Sequence, residues 1–347
     1  MQTITNEQRD QRGHSLIELV ISSTLLVGMI YVVSTLSVQG GQAQEYARRI
    51  NRVTEITQDL TDAIRLELVS SVRLFGNNAE GLANLATLNL ADAPAPLGDL
   101  KLPTISGTPQ LRQDVVGDEI TGNSLFFAKL AWDERFVCTS GEEYIVDVYR
   151  WVYYYLTAED GGPDPSHPIG INVVRVESEP LADAGCVERI SDATDREEVM
   201  LHLANGTPDA DGDTHARCVV VWRRGGLPSD VGTFQQIDED DGSLSTTPFG
   251  GRPDPWQVLR SQEAVSGLLS YRHHSIASNY APGAFGVGKY GVTTNSAGGG
   301  FPHGLEIQVV GDSVARQVLV HLVVSSTRRT GHFAWSDLQV MVDARDL

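Results

Sequence analysis

The hydrophobic pattern changes period twice along this chain, and each period predicts a different element. Residues 16–38 are apolar at most positions, and Glu18 is the only charged side chain among them. A helix built from this run is greasy all round, and about 20 such residues cross a bilayer. Further on, Tyr46, Ile50, Val53, Leu60, Ile64, Leu68 and Phe75 recur at alternating three- and four-residue steps, with Thr57 and Ser71 as weaker members. That spacing marks one buried face of a helix. Arg48, Arg49, Arg52, Glu55, Asp59, Asp62, Arg65 and Glu67 fall between them and read as a solvated face. Gly40 and Gly41 loosen the junction, at about 1 kcal/mol each relative to alanine. Gly76-Asn77-Asn78 supplies a stop. The expectation is one long helix over 14–75, membrane-spanning in its first half and amphipathic in its second.

Residues 91–109 are rich in proline, glycine and small side chains and predict an irregular connection. Beyond them the period becomes two. Strands are predicted over 124–132 and over 143–157, where Val146, Val148, Arg150, Val152 and Tyr154 alternate with Ile145, Asp147, Tyr149, Trp151, Tyr153 and Tyr155. A turn-rich stretch over 159–165 and a return strand over 171–178 complete a long-looped hairpin. Residues 199–203 read as a short strand, and 215–224, 265–275, 304–310 and 314–327 as further ones. Residues 230–255 read as an acidic surface loop, 281–304 as a glycine-rich excursion, and 333–342 as a segment that closes or covers the sheet. A long helix followed by many strands is the order of an α+β fold with an antiparallel sheet.

Charge narrows the function classes. The chain has 347 residues, 26 of them basic and 45 acidic, for a net charge of −19. That balance argues against nucleic-acid binding and against a polybasic grip on anionic lipid. Cys138, Cys186 and Cys218 match no zinc spacing. Outside the cytoplasm, one pair of them forming a disulfide and one remaining a buried thiol is an option that spacing leaves open. No nucleophile elbow, phosphate loop or HExxH segment occurs, so catalysis has no support. The adjacent His273 and His274 would point to opposite faces of a strand, which does not suit a shared metal. Asp209, Asp211 and Asp213 put three carboxylates at alternate loop positions, a set that suits calcium. A solvated acidic turn explains the same residues, and it explains the run 238–242 as well.

Glu18 needs an explanation of its own, because a carboxylate near the centre of a membrane costs roughly 2.5–3.5 kcal/mol on insertion scales. A secretory signal peptide has a shorter apolar core, followed by a small-residue cleavage site. An ordinary signal anchor accounts for the length and the basic leader, but not for Glu18 at this distance from Gly13. The stretch Arg12-Gly13-His14-Ser15-Leu16-Ile17-Glu18-Leu19 resembles the processing signal of type IV prepilins and type II secretion pseudopilins. The resemblance implies that a prepilin peptidase cuts after Gly13 and that the new N-terminus, His14, is methylated. It also implies that Glu18 pairs with the N-terminal amine of a neighbouring subunit. The family usually carries phenylalanine where this chain has His14.

Later segments are similar, more loosely, to the larger minor pilins and the J-class minor pseudopilins. They are the strand 149–155 with its return at 173–176, and the runs 268–272 and 317–324. The implied layout is a cleaved leader over 1–13, a pilin helix over 14–75 spanning the membrane at about 16–38, and a β-rich head over 76–347. The head would be periplasmic or extracellular, the anchor in the inner membrane, and the partners other pilin or pseudopilin subunits. Head size implies a minor subunit at or near a filament tip. Some pseudopilins bind calcium, which bears on Asp209, Asp211 and Asp213. The competing reading is an anchored exoplasmic binding or adhesion domain outside any filament.

Overall fold

The computed structural model describes residues 7–88, 90, 93–96, 100–106, 120–159, 170–206, 217–245, 257–259, 274–276, 304–327 and 333–346. The chain divides into two units, Met1–Arg52 and Val53–Leu347. One helix, α1 (Glu7–Val69), begins in the first and ends in the second, and it is unbroken at Gly40 and Gly41.

In the second unit α1 presents Val53, Ile56, Leu60, Ile64 and Leu68 to the core, all of them buried. Two hydroxyls lie on this face as well. Thr57 donates to the Val53 carbonyl and Thr61 to the Thr57 carbonyl, so neither is buried unsatisfied. The helix ends earlier than its apolar spacing suggests. Ser71–Phe75 forms strand β1 rather than a further turn, because Val72 and Phe75 fit a pleat and the segment finds a ladder in β3 (Leu125–Val137). Asn78 caps the start of a new helix, α2 (Ala79–Leu85), rather than stopping the old one.

The remaining strands are β2 (Ile105–Ser106), β4 (Glu143–Glu159), β5 (Gly170–Glu177), β6 (Leu181–Asp183), β7 (Val220–Trp222), β8 (Phe234–Ile237), β9 (Leu244–Ser245), β10 (Gln257–Leu259), β11 (His274–Ile276), β12 (Leu305–Val310), β13 (Arg316–Thr327) and β14 (Phe333–Ala344). They form two sheets. The larger runs β1-β3-β4-β6-β7-β8-β9, with β5 beside β4 and β10 on β5. The smaller runs β11-β13-β12-β2, with β14 on the other side of β13. Among the described residues all pairings are antiparallel except β6 with β7 and β12 with β2. The architecture is α+β, with a long N-terminal helix packed on antiparallel sheets.

The alternation of β4 sorts its side chains into two cores. Val152, Tyr154 and Leu156 face α1 together with the inner residues of β12 and β13. Tyr149, Trp151, Tyr153 and Tyr155 point the other way, into an aromatic cluster with Phe75, Phe126, Trp222 and Phe234. Phe75 stacks on Phe126 at 4.4 Å between centroids, and Trp151 meets Trp222 edge-on at 5.5 Å. Each such aromatic pair adds roughly 0.5–1.5 kcal/mol beyond the area it buries. The larger sheet is therefore covered on both faces.

Residues 199–203 are helical, not a strand. They lie in α4 (Ala193–Asn205), which Asp192 caps by accepting from the Thr194 and Asp195 amides, and which Gly206 ends at φ 61°. The stretch expected as an acidic loop contains β8 and β9. Cys138, Cys186 and Cys218 are all free and buried in one cluster, so no pair is bridged.

A charge cluster around the buried His321 joins three strands of the smaller sheet. His321 Nδ1 lies 2.9 Å from Glu306 Oε2, and its Nε2 lies 2.7 Å from Asp337 Oδ1. Burial alone would lower its pKa, but the two carboxylates outweigh burial and hold it above the ordinary 6.5. The folded state therefore binds the proton more tightly than the unfolded chain. This stabilisation is complete below pH 6.5 and is lost as pH rises through the raised folded value. Thermal unfolding of the full-length protein in detergent should show a melting temperature that falls across that window. His321→Gln should flatten the fall, and an unchanged slope in that variant would assign the effect elsewhere.

Candidate functional site

The side chains of residues 16–38 cover no core of their own. The large apolar residues from Leu16 to Val38 are between 53% and 72% exposed. Among the described residues α1 is the one helix long and apolar enough to cross a membrane. A contiguous apolar surface of this extent on one element marks an interaction surface. Valine and isoleucine, frequent here, are only middling helix formers in water. In lipid the balance changes, because each backbone group must be satisfied within the segment and a helix does so.

The polar side chains of the segment behave consistently with that setting. Ser23 and Thr24 both donate to the Val20 carbonyl, at 2.9 and 2.7 Å, and Thr35 donates to Tyr31 at 2.9 Å. Such back-bonding satisfies these three hydroxyls without water. Gly28, Gly40 and Gly41 have nothing within 4 Å of where a Cβ would stand. The chain's own packing does not require glycine there, whereas close approach of another helix would.

Glu18 sits exposed between Ile17 and Leu19 on this surface. Gly13 and His14 fall within the bounds of α1, but their side chains lie outside the described residues. So do Asp209, Asp211 and Asp213, and His273.

At its other end α1 carries a charged anchor. Glu67, expected on the solvated face, is instead enclosed by the larger sheet. Arg175 donates to both of its carboxylate oxygens, at 3.0 and 2.6 Å, and Lys129 Nζ lies 2.5 Å away. The Tyr154 hydroxyl donates to it as well. Glu177 completes the group, 2.9 Å from Lys129 and 3.0 Å from Arg175. Burial by itself would raise the pKa of Glu67, but these donors outweigh burial and bring it from the ordinary 4.5 down to about 2. The bidentate arginine fixes rotation as well as position, so the last turns of α1 are held in one register on the sheet. Arg175 inside the apolar run Val173-Val174-Arg175-Val176 was the available signal, since a buried guanidinium demands a carboxylate.

Among the described residues one other cluster has the composition of a metal site. Single ligand atoms of Asp147, Asp183 and Cys186 lie within 4.8 Å of one another. Two guanidiniums already serve it: Arg189 donates to Cys186 Sγ at 3.0 Å and Arg224 to Asp183 Oδ2 at 3.4 Å. Asp183 also accepts from the Gly185 amide, and burial raises the Cys186 thiol pKa. The charges are compensated without an added cation, and the group caps the short helix α3 (Ala184–Glu188).

No known protein family, curated protein or solved structure matches this chain.

Proposed function

We propose that this protein is a non-enzymatic structural subunit of a pilin-type filament, either a type IV pilus or a type II secretion pseudopilus. A prepilin peptidase removes residues 1–13, and the apolar half of α1 holds the product in the inner membrane until it enters the filament. The head then projects from the helix bundle as a minor subunit at or near the tip. The observation that carries this reading is Glu18, a lone carboxylate in an exposed apolar helix, five residues beyond Gly13. Two further features support it. Gly28, Gly40 and Gly41 of α1 are open to a close neighbour, and the head is clamped to the end of the helix by Glu67.

N-terminal sequencing of the protein from membranes of cells with an active prepilin peptidase tests the processing step. The expected first residue is His14, and loss of the peptidase should restore Met1. An intact Met1 start with the peptidase present would overturn the processing and favour a plain anchored exoplasmic domain.

A further inference from the structure

We propose that residues 344–346 form a latch at the seam between the two sheets, closing where the chain leaves α1, and that it opens without unfolding the head. β1, which follows α1, stands at one end of the larger sheet. Its Leu74 amide donates to Asp346 Oδ1 at 3.1 Å, and the Ser71 hydroxyl donates to the Arg345 carbonyl at 3.0 Å. The smaller sheet grips the same residue from the other side. Arg316 Nε donates to Asp346 Oδ2 at 3.0 Å, and the Asp346 amide donates to the Ser313 carbonyl at 3.2 Å. Arg73 Nε lies 3.8 Å from Asp346 Oδ1, and the same guanidinium donates to Glu80 of α2 at 2.6 Å. One buried carboxylate thus joins β1 to the start of β13, across 272 and 30 residues of sequence.

The chemistry of these contacts is that of a fastening, not of a core. Ala344 is buried in the core beside α1, but beyond it Arg345 is exposed and Asp346 has no apolar side chain to bury. Apolar burial scales with area and is what makes a core costly to open. Releasing Asp346 breaks hydrogen bonds to a charged group, and the freed carboxylate and guanidiniums regain water. Segments held this way open at lower free energy than core strands.

The element the latch governs is β1. Shut, it holds β1 from both sheets; open, it leaves β1 to its ladder with β3. Glu67 already ties the last turns of α1 to the larger sheet. The latch adds a separate tie to the smaller sheet four residues later, through Ser71. The inference is independent of how the N-terminal helix is processed.

The test is native-state hydrogen exchange on the full-length protein in detergent, followed amide by amide as urea is raised. The amides of Leu74 and of position 346 should exchange through a local opening that depends weakly on urea. The Tyr153 amide, in the middle of the β3–β4 ladder, should follow global unfolding with a steep dependence. Asp346→Asn should speed exchange at both latch amides by about tenfold or more and leave Tyr153 unchanged. Ser71→Ala removes one neutral hydrogen bond and should speed the same two amides by a smaller factor. Three results would overturn the proposal. They are latch amides that exchange only with global unfolding, variants that speed Tyr153 as much as Leu74, and latch amides that neither variant affects.

Discussion

Glu67→Ala should lower the melting temperature of the full-length protein by roughly 6–10 °C. The reason is what remains behind. Arg175 and Lys129 are mostly buried, with side chains 10% and 16% exposed, and without Glu67 they share Glu177 alone. Removing one member of a buried ion group costs roughly 3–5 kcal/mol, because the surviving charge stays desolvated. In a unit as large as Val53–Leu347 each kcal/mol moves the midpoint by about 2 °C. Tyr154 also loses the acceptor for its buried hydroxyl. Asp59→Ala, on the exposed face of the same helix, should stay within about 0.5 kcal/mol of wild type.

The same contacts fix a pH dependence. With the pKa of Glu67 lowered from 4.5 to about 2, its contribution is complete above pH 4.5 and is lost as pH falls through about 2. That shift corresponds to on the order of 3 kcal/mol. Wild type should therefore lose stability over this acid range more steeply than Glu67→Gln. Equal acid slopes, or a midpoint for Glu67→Ala within 2 °C of wild type, would show that apolar packing alone seats the helix.

Periodicity made the long elements legible. The apolar run of α1, the alternation of β4 and the β-branched β13 each carry a signal that local sequence contains. The end of α1 was not legible, because Ser71 and Phe75 continue the helical spacing while the same residues also fit a pleat. Tertiary pairing with β3 decides between the two. The α4 segment misleads for a different reason. Val199-Met200-Leu201-His202-Leu203 taken alone suits a strand, but Asp192 seven residues before Val199 is the capping signal that governs it.

Glu67 was hidden by distance. Its partners lie 62 and 108 residues away in sequence, so nothing local separates it from Asp62 or Glu55. Glu18 is the reverse case, visible in sequence because a charge in an apolar run is conspicuous wherever the chain folds.

Glu18→Ala should leave membrane levels equal to or above wild type while excluding the protein from filaments. Removing a carboxylate from the span relieves an insertion cost, which reaches roughly 2.5–3.5 kcal/mol at the membrane centre and is smaller nearer the end of the span, so anchoring does not suffer. In an assembled bundle the carboxylate would face the N-terminal ammonium of a neighbour, away from water, where a hydrogen-bonded charge pair is far stronger than at a surface. Without Glu18 that ammonium is buried unpaired, at a cost of roughly 3–5 kcal/mol. A residue at position 18 that served packing alone would tolerate Ala and Gln with no stranded charge. The direct measurement compares membrane and sheared-filament fractions of wild type, Glu18→Ala and Glu18→Gln in the same cells. Wild type should appear in both fractions and the two variants in the membrane fraction only. Equal recovery of all three in filaments, or of none of them, would contradict assembly through Glu18.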